Sequence, residues 1–202
     1  MGSFYGMDIV LADTDTEFRP YLEETARRGR LVMRRCTACG LLRYPPGAAC
    51  PWCMSLDSDW ADLTGRGTVY SYEVVTQAIL PGLRDRVPYV TALVELDEQR
   101  GAPEPGDGLR LVANIVKADG SPEEEGRVGI GARVEAVLVD LADGAKLPQF
   151  RLADGPQPEL WRYGALQRAG EDVQPVAAGE AGCGRHRGGR RSLPRRRRPG
   201  AD

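Results

Sequence analysis

Four of the chain's five cysteines fall between residues 36 and 53 as two Cys-x-x-Cys pairs, Cys36/Cys39 in "CTACG" and Cys50/Cys53 in "CPWCM". Three chemistries compete for such a segment: two disulfides, a dithiol redox centre, or one tetrahedral metal site. A thioredoxin-type centre uses a single pair beside a parallel-sheet pattern, and that pattern is missing. Structural disulfides belong to oxidising compartments. Two knuckles facing each other, each with the Gly or Pro that its tight turn favours, supply four thiolates at about 2.3 Å around one ion. The spacing therefore predicts Cys36, Cys39, Cys50 and Cys53 as ligands of one structural zinc. Iron in the same Cys₄ set is the chemical rival. With no open coordination position the ion cannot activate water, so its expected work is folding. Arg34, Arg35 and Arg43 are placed to soften the site's negative charge, or else are solvated surface cations.

The rest of the composition bounds the compartment and the partners. Gly and Pro make 40 of the 202 residues, so loops take a large share. Apolar runs fall short of the roughly 20 residues that span a membrane. The N-terminus, "MGSFYGMDIVLADTDTEF", lacks the basic flank and long apolar stretch of a secretory signal. Gly6 stands where a myristoylation motif wants Ser or Thr. The expectation is a soluble, cytoplasmic protein without membrane contact. The net charge of −2 hides an asymmetry: residues 183–202 hold eight arginines against Asp202, and residues 1–182 hold 19 bases against 28 acids. An acidic body is a poor fit to a phosphate backbone.

Along the chain, "TEFRPYLEETARRG" (16–29) has helical spacing, with Thr16 as N-cap, Phe18, Tyr21, Leu22 and Thr25 on one face, Pro20 in the first turn and Gly29 as the stop. After the cysteines, from Gly65, the period changes to two. Residues 67–77, 88–96, 109–117, 132–141 and 146–152 read as five strands. Val90, Ala92, Val94 and Leu96 share one face of the second, and Leu109, Leu111, Ala113 and Ile115 one face of the third. In the fourth, Val134, Ala136 and Leu138 fall together. Pro148 confines the fifth to an edge or a strand start. Short Gly/Pro/Asp-rich connections without helices indicate a small antiparallel barrel. Five strands suit an OB-fold, although periodicity alone does not separate it from a sandwich. The expected organisation is mainly β. A flexible N-terminus (1–15) and a helix (16–31) precede a zinc ribbon (32–64) and the barrel (65–154). A mostly disordered Gly/Arg-rich tail (155–202) follows, in which Leu160, Trp161 and Tyr163 can still pack back on the barrel.

In this order, "RCTACGLLRYPPGAACPWC", "DWADLTGRGTVYSYEVV", "VPYVTALVELDE", "GLRLVANIV", "VGIGARVEAVLVD" and "KLPQFRL" resemble the zinc-ribbon/OB-fold proteins associated with thiolases and acyl-CoA enzymes, over roughly residues 16–152. The resemblance implies a rubredoxin-like zinc ribbon packed beside an OB barrel. It further implies a non-catalytic accessory subunit in lipid, steroid or polyketide metabolism. Its partner would be a thiolase-fold enzyme or an acyl-CoA hydratase, with acyl-CoA at the shared interface. The chain departs from the pattern at "DEQRGAPEPGDGLRL", where the second connection looks lengthened, and in its Arg-rich tail.

What is missing from the residues agrees with a role without catalysis. The single histidine, His186, sits in the tail, so nucleophilic machinery has no imidazole base in the expected folded region. Asp97/Glu98 and Glu123/Glu124/Glu125 read as solvated charge at strand ends or in loops. "GRVGIGARV" precedes a strand rather than a helix and reads as a turn, not a phosphate loop. Cys183 reads as a bystander thiol. A nucleic-acid-binding protein is the alternative class, but the outward positions Tyr89, Thr91, Leu93, Glu95, Arg110 and Asn114 make no basic aromatic platform. A rubredoxin-like iron electron carrier is the other, and its oxidised protein would be red. Around the cysteines, Tyr44, Pro45, Pro46 and Trp52 offer either a partner-facing surface or the packing of ribbon onto barrel.

Overall fold

The computed structural model describes residues 2–4, 7–9, 17–141 and 144–162. Thr16, Cys183, His186 and the Arg-rich tail, with the disorder expected there, lie outside the described residues. At the N-terminus β1 (Gly2–Phe4) and β2 (Met7–Ile9) pair antiparallel. Helix α1 (Phe18–Arg28) starts one residue later than its spacing suggests, with Glu17 rather than Thr16 at the cap position and no side-chain cap. It stops where expected: Gly29 takes φ 63°, and its N–H donates to the Ala26 carbonyl. Only a residue tolerant of left-handed backbone ends a helix this way cheaply.

The cysteine segment forms a three-stranded sheet in the order β4 (Leu42–Arg43), β3 (Val32–Cys36), β5 (Ser58–Asp62). Five further strands close into a barrel: β6 (Arg66–Val75), β7 (Tyr89–Arg100), β8 (Gly108–Ile115), β9 (Arg133–Asp140) and β10 (Lys146–Leu152). Around the barrel the order is β10-β8-β7-β6-β9, antiparallel except where Phe150 of β10 meets Ile115 of β8 in parallel. This is the five-stranded closed arrangement of an OB-fold, not a sandwich. Gly67 is required where β6 crosses β7, because a Cβ there would stand 2.7 Å from the Glu95 carbonyl oxygen. Pro148 sits opposite Leu138 of β9, before β10 reaches β8, so its missing N–H interrupts no ladder.

Alternation along the strands buries the faces that period two selects. Val90, Val94, Leu96 and Ile115 are fully buried, with Ala92, Leu109 and Leu111 almost so. Each such Val, Leu or Ile contributes about 1.5–3 kcal/mol over its exposed state. On β9 only Val134 is buried; Ala136 and Leu138 are half-buried, so its far half leaves the core. Leu31, Val32, Met33 and Leu42 of the ribbon join the barrel residues and Tyr21 of α1 in one apolar cluster. Phe18, Tyr21 and Tyr44 meet edge-on at 6.0–6.2 Å, which turns Tyr44 inward.

The lengthened second connection begins as strand. β7 runs on through Asp97-Glu98-Gln99-Arg100, with its register against β8 shifting between Glu95 and Arg100. The extension carries Gln99 under the ribbon, where it is buried. Its carboxamide accepts from Leu42 N–H (2.5 Å) and donates to Leu42 C=O (3.0 Å), pairing the free edge of β4 as another strand would. Beyond β10, Leu160 packs on the core, and Trp161 exchanges two main-chain hydrogen bonds with Ile130 (2.9 and 3.1 Å).

Two outcomes follow from these contacts. Gln99→Leu strands a buried N–H and C=O of Leu42 and is expected to lower stability by about 2 kcal/mol, read as a reduced urea midpoint with unchanged slope. On the barrel surface, the Arg133 guanidinium holds the Asp97 carboxyl below the usual carboxylate range. Because the folded-state value lies below the unfolded one, this contribution is present at neutral pH and is lost as pH falls below about 4. For a half-exposed pair it amounts to less than about 1 kcal/mol. Asp97→Asn should thus lose a little stability at pH 7 and match the parent at the acid end of a pH series.

Candidate metal centre

Each knuckle is built by its own main chain, and the two are near copies. In the first, Cys36 N–H donates to Leu41 C=O and Gly40 N–H donates back to Cys36 C=O, both at 2.9 Å. In the second, Cys50 N–H reaches Ser55 C=O at 2.8 Å and Met54 N–H reaches Cys50 C=O at 2.9 Å. These turns leave amides aimed inward. The N–H groups of Cys39 and Ala38 face the Cys36 sulfur, those of Trp52 and Cys53 the Cys50 sulfur, and those of Leu41 and Ser55 the other two. The Cys39 amide is the main reason the Cys36 thiol is lowered to about 6. An N–H aimed at sulfur favours the thiolate, the form that binds metal.

The four Sγ atoms lie within 4.8 Å of one another, with Cys36–Cys53 at 3.5 Å and Cys39–Cys50 at 3.6 Å. A regular tetrahedron with metal–sulfur bonds of about 2.3 Å has edges of about 3.8 Å. The close pairs are far longer than a disulfide of about 2.05 Å, and all four cysteines are free. Each close pair joins one knuckle to the other, so an ion at the centre would tie the knuckles together. Cys36 and Cys50 are buried, while Cys39 and Cys53 face outward. The donor set, its number and its spacing fit a closed Cys₄ metal site.

The three arginines expected to offset the thiolates have other contacts. Arg35 donates to Gly40 C=O at 3.1 Å, bracing the first knuckle, and Arg34 stacks over the Trp60 ring at 4.2 Å. Arg43 is almost fully buried; its Nη2 donates to Ser58 Oγ at 2.7 Å, and its Nε and Nη1 find no partner among the described residues. Of the four candidates for a partner-facing surface, Tyr44 and Pro46 turn inward, and Trp52 and Pro45 face out.

Elsewhere several charged groups are matched to one another. Glu98 is not plain solvated charge: one carboxylate oxygen accepts from both the N–H and the hydroxyl of Thr64 at 2.6 Å. Glu123 is buried and accepts from Arg127 at 3.1 Å, a role its loop position in the sequence does not reveal. A surface cleft of about 310 Å³ beside it is lined by Lys117, Arg127 and Arg151, and each of these already faces a carboxylate. On the outer barrel face Arg110 is held by Glu95 (2.9 Å) and covers the Tyr70 ring at 3.9 Å, and Thr91 donates to Asn114. That leaves little of a stacking platform for bases. After "GRVGIG" comes strand β9, as the turn reading expects. No helix among the described residues is long and apolar enough to cross a membrane.

Comparison with known proteins matches both halves of this architecture. Residues 24–57 fit the family profile of the ChsH2 rubredoxin-like zinc ribbon domain, and residues 60–147 that of the ChsH2 C-terminal OB-fold domain. A probable enoyl-CoA hydratase alpha subunit of Thermomonospora curvata is 40% identical over 67% of this chain and 37% of its own length. The 3-oxo-4,17-pregnadiene-20-carboxyl-CoA hydratase alpha subunit of Mycobacterium tuberculosis is 36% identical over 52% of this chain and 28% of its own. The chain thus spans about a third of the length of these hydratase subunits. A DUF35 domain-containing scaffold protein of Methanocaldococcus jannaschii is 36% identical over 54% of this chain and 67% of its own length. Among solved structures, a chain of the "Ltp2-ChsH2(DUF35) aldolase" superposes with a TM-score of 0.55 at 36% identity, covering 68% of this chain and 95% of that one. With its knuckle geometry, its barrel order and these relatives in agreement, the chain belongs to the DUF35 family of zinc-ribbon/OB-fold proteins.

Proposed function

We propose that this chain is a non-catalytic subunit that docks on an acyl-CoA-processing enzyme of the hydratase, aldolase or thiolase-fold kind, stabilises it and borders its acyl-CoA channel. The observation that supports this best is the 36% identity to nearly the whole of one chain of the solved Ltp2-ChsH2(DUF35) aldolase. The described residues add a second support. They hold no histidine, and the carboxylates of Asp97 and Glu123 are held by Arg133 and Arg127, a poor arrangement for general acid–base work. The chain is expected to co-purify with such a subunit when the two are co-expressed. Turnover of an acyl-CoA thioester by this polypeptide alone would overturn the proposal.

Within that subunit we assign Cys36, Cys39, Cys50 and Cys53 to one structural zinc. The ion would hold the two knuckles against each other, a task for which the segment has too few buried apolar side chains. Elemental analysis in reducing buffer is expected to find one zinc per chain. Cys39→Ser should reduce that content several-fold and unfold residues 36–56 while the barrel persists, visible as fast amide exchange confined to the ribbon. A red protein carrying iron would favour electron transfer instead. Full zinc content in Cys39→Ser would rule the ligand set out.

A further inference from the structure

The two knuckles differ at one position where their geometry does not. After its second cysteine each chain turn enters left-handed backbone, at Gly40 with φ 79° and at Met54 with φ 63°. Among the described residues Met54 is the sole non-glycine with positive φ. Glycine takes this conformation freely, whereas a side chain with a Cβ is strained there. Strain of this kind persists where something rewards the side chain. Nothing within the described structure does so, because Met54 is 72% exposed. Its neighbours on the same turn repeat the pattern: Leu56 is 71% exposed and Trp52 42%. Three large apolar groups at alternate positions of one short segment are thus exposed, contrary to their usual burial.

We propose that the second-knuckle tip, Trp52, Met54 and Leu56, is the anchor by which this chain docks on its acyl-CoA-processing partner, entering an apolar pocket with a basic rim. This rests on the proposed function and locates its contact surface. The occupant follows from exposure, charge and area. Met54 and Leu56 stand more than two-thirds exposed, so a receptor must supply the apolar walls that this chain does not. Asp57 and Asp59, which follow it in the chain, are exposed and form no ion pair among the described residues, although Arg35 lies across the strand from Asp59. Their carboxylates are left for cations of the receptor to meet. A second copy of the tip would offer the same carboxylates. Three side chains also bury far less than the ~800 Å² per partner of a standard interface. The tip is therefore a local hot spot inside a wider surface, where Trp and a flexible thioether fill a preformed pocket.

The test uses the zinc-loaded full-length chain and the hydratase- or aldolase-type subunit of its own genome with which it co-purifies. Met54→Gly is expected to leave zinc content intact and the melting temperature of the free chain unchanged or higher. It should weaken the complex at least tenfold by calorimetry, and Met54→Leu should restore most of the affinity. Val112→Ser, on the exposed outer barrel face, should bind as the parent does. Amide exchange over residues 51–57 should slow in the parent complex. Parent-like binding by Met54→Gly, or a clear fall in its melting temperature when free, would overturn the inference and leave the proposed function standing. So would concentration-dependent self-association that Met54→Gly abolishes, since a second copy would then be the occupant. A parent chain that binds no such subunit would defeat the proposed function itself.

Discussion

Four sulfur atoms crowded within 4.8 Å of one another make the tightest constraint in the molecule. Thiolates so close repel unless a cation stands among them, and six main-chain N–H groups aimed at the sulfurs lower the cost only in part. The strands around them are short, with two residues in β4 and five each in β3 and β5. Their buried apolar residues, Val32, Met33 and Leu42, belong to the one cluster that also holds the barrel core and Tyr21 of α1. The knuckles therefore depend on the sulfur cluster on one side and on the barrel on the other.

The barrel end of this arrangement hangs on a polar contact. Gln99 pairs the edge of β4 through both halves of its carboxamide, so the ribbon's exposed main chain is satisfied without a fourth strand. Together with the shared apolar cluster and the aromatic trio of Phe18, Tyr21 and Tyr44, it seats ribbon, helix and barrel on one core. Around this core three acids are matched with arginines: Asp97 with Arg133, Glu95 with Arg110, Glu123 with Arg127.

Much of this was readable from residue order. The period-two runs picked out all five barrel strands, and β10 begins and ends where its run does. The Cys-x-x-Cys spacing identified the four sulfurs that converge, because a tight turn determines where its two cysteines point with no help from distant residues. Other features were hidden for a physical reason. "DEQR" reads as polar loop, since three of its four residues are charged, yet it continues β7 because Arg133, Thr68 and Thr64 await its side chains across the barrel. Glu123 looked solvated until Arg127 and the Glu124 amide closed on it. Arg43 reads as a surface cation in the sequence, and only the folded ribbon shows it buried against Ser58, across the strand from Cys36.

The sequence by itself determined what depends on neighbours a few residues away: the helix stop at Gly29, the two knuckles, the alternating strand faces and the family to which they belong. The tertiary structure alone decided which polar groups meet across long separations, such as Gln99 with Leu42, and which apolar ones remain outside, such as Met54 and Leu56. Hydrogen-bond partners dozens of residues apart carry no local periodicity. Whether a side chain is buried is a property of the closed barrel and the folded ribbon around it, not of its place in the chain.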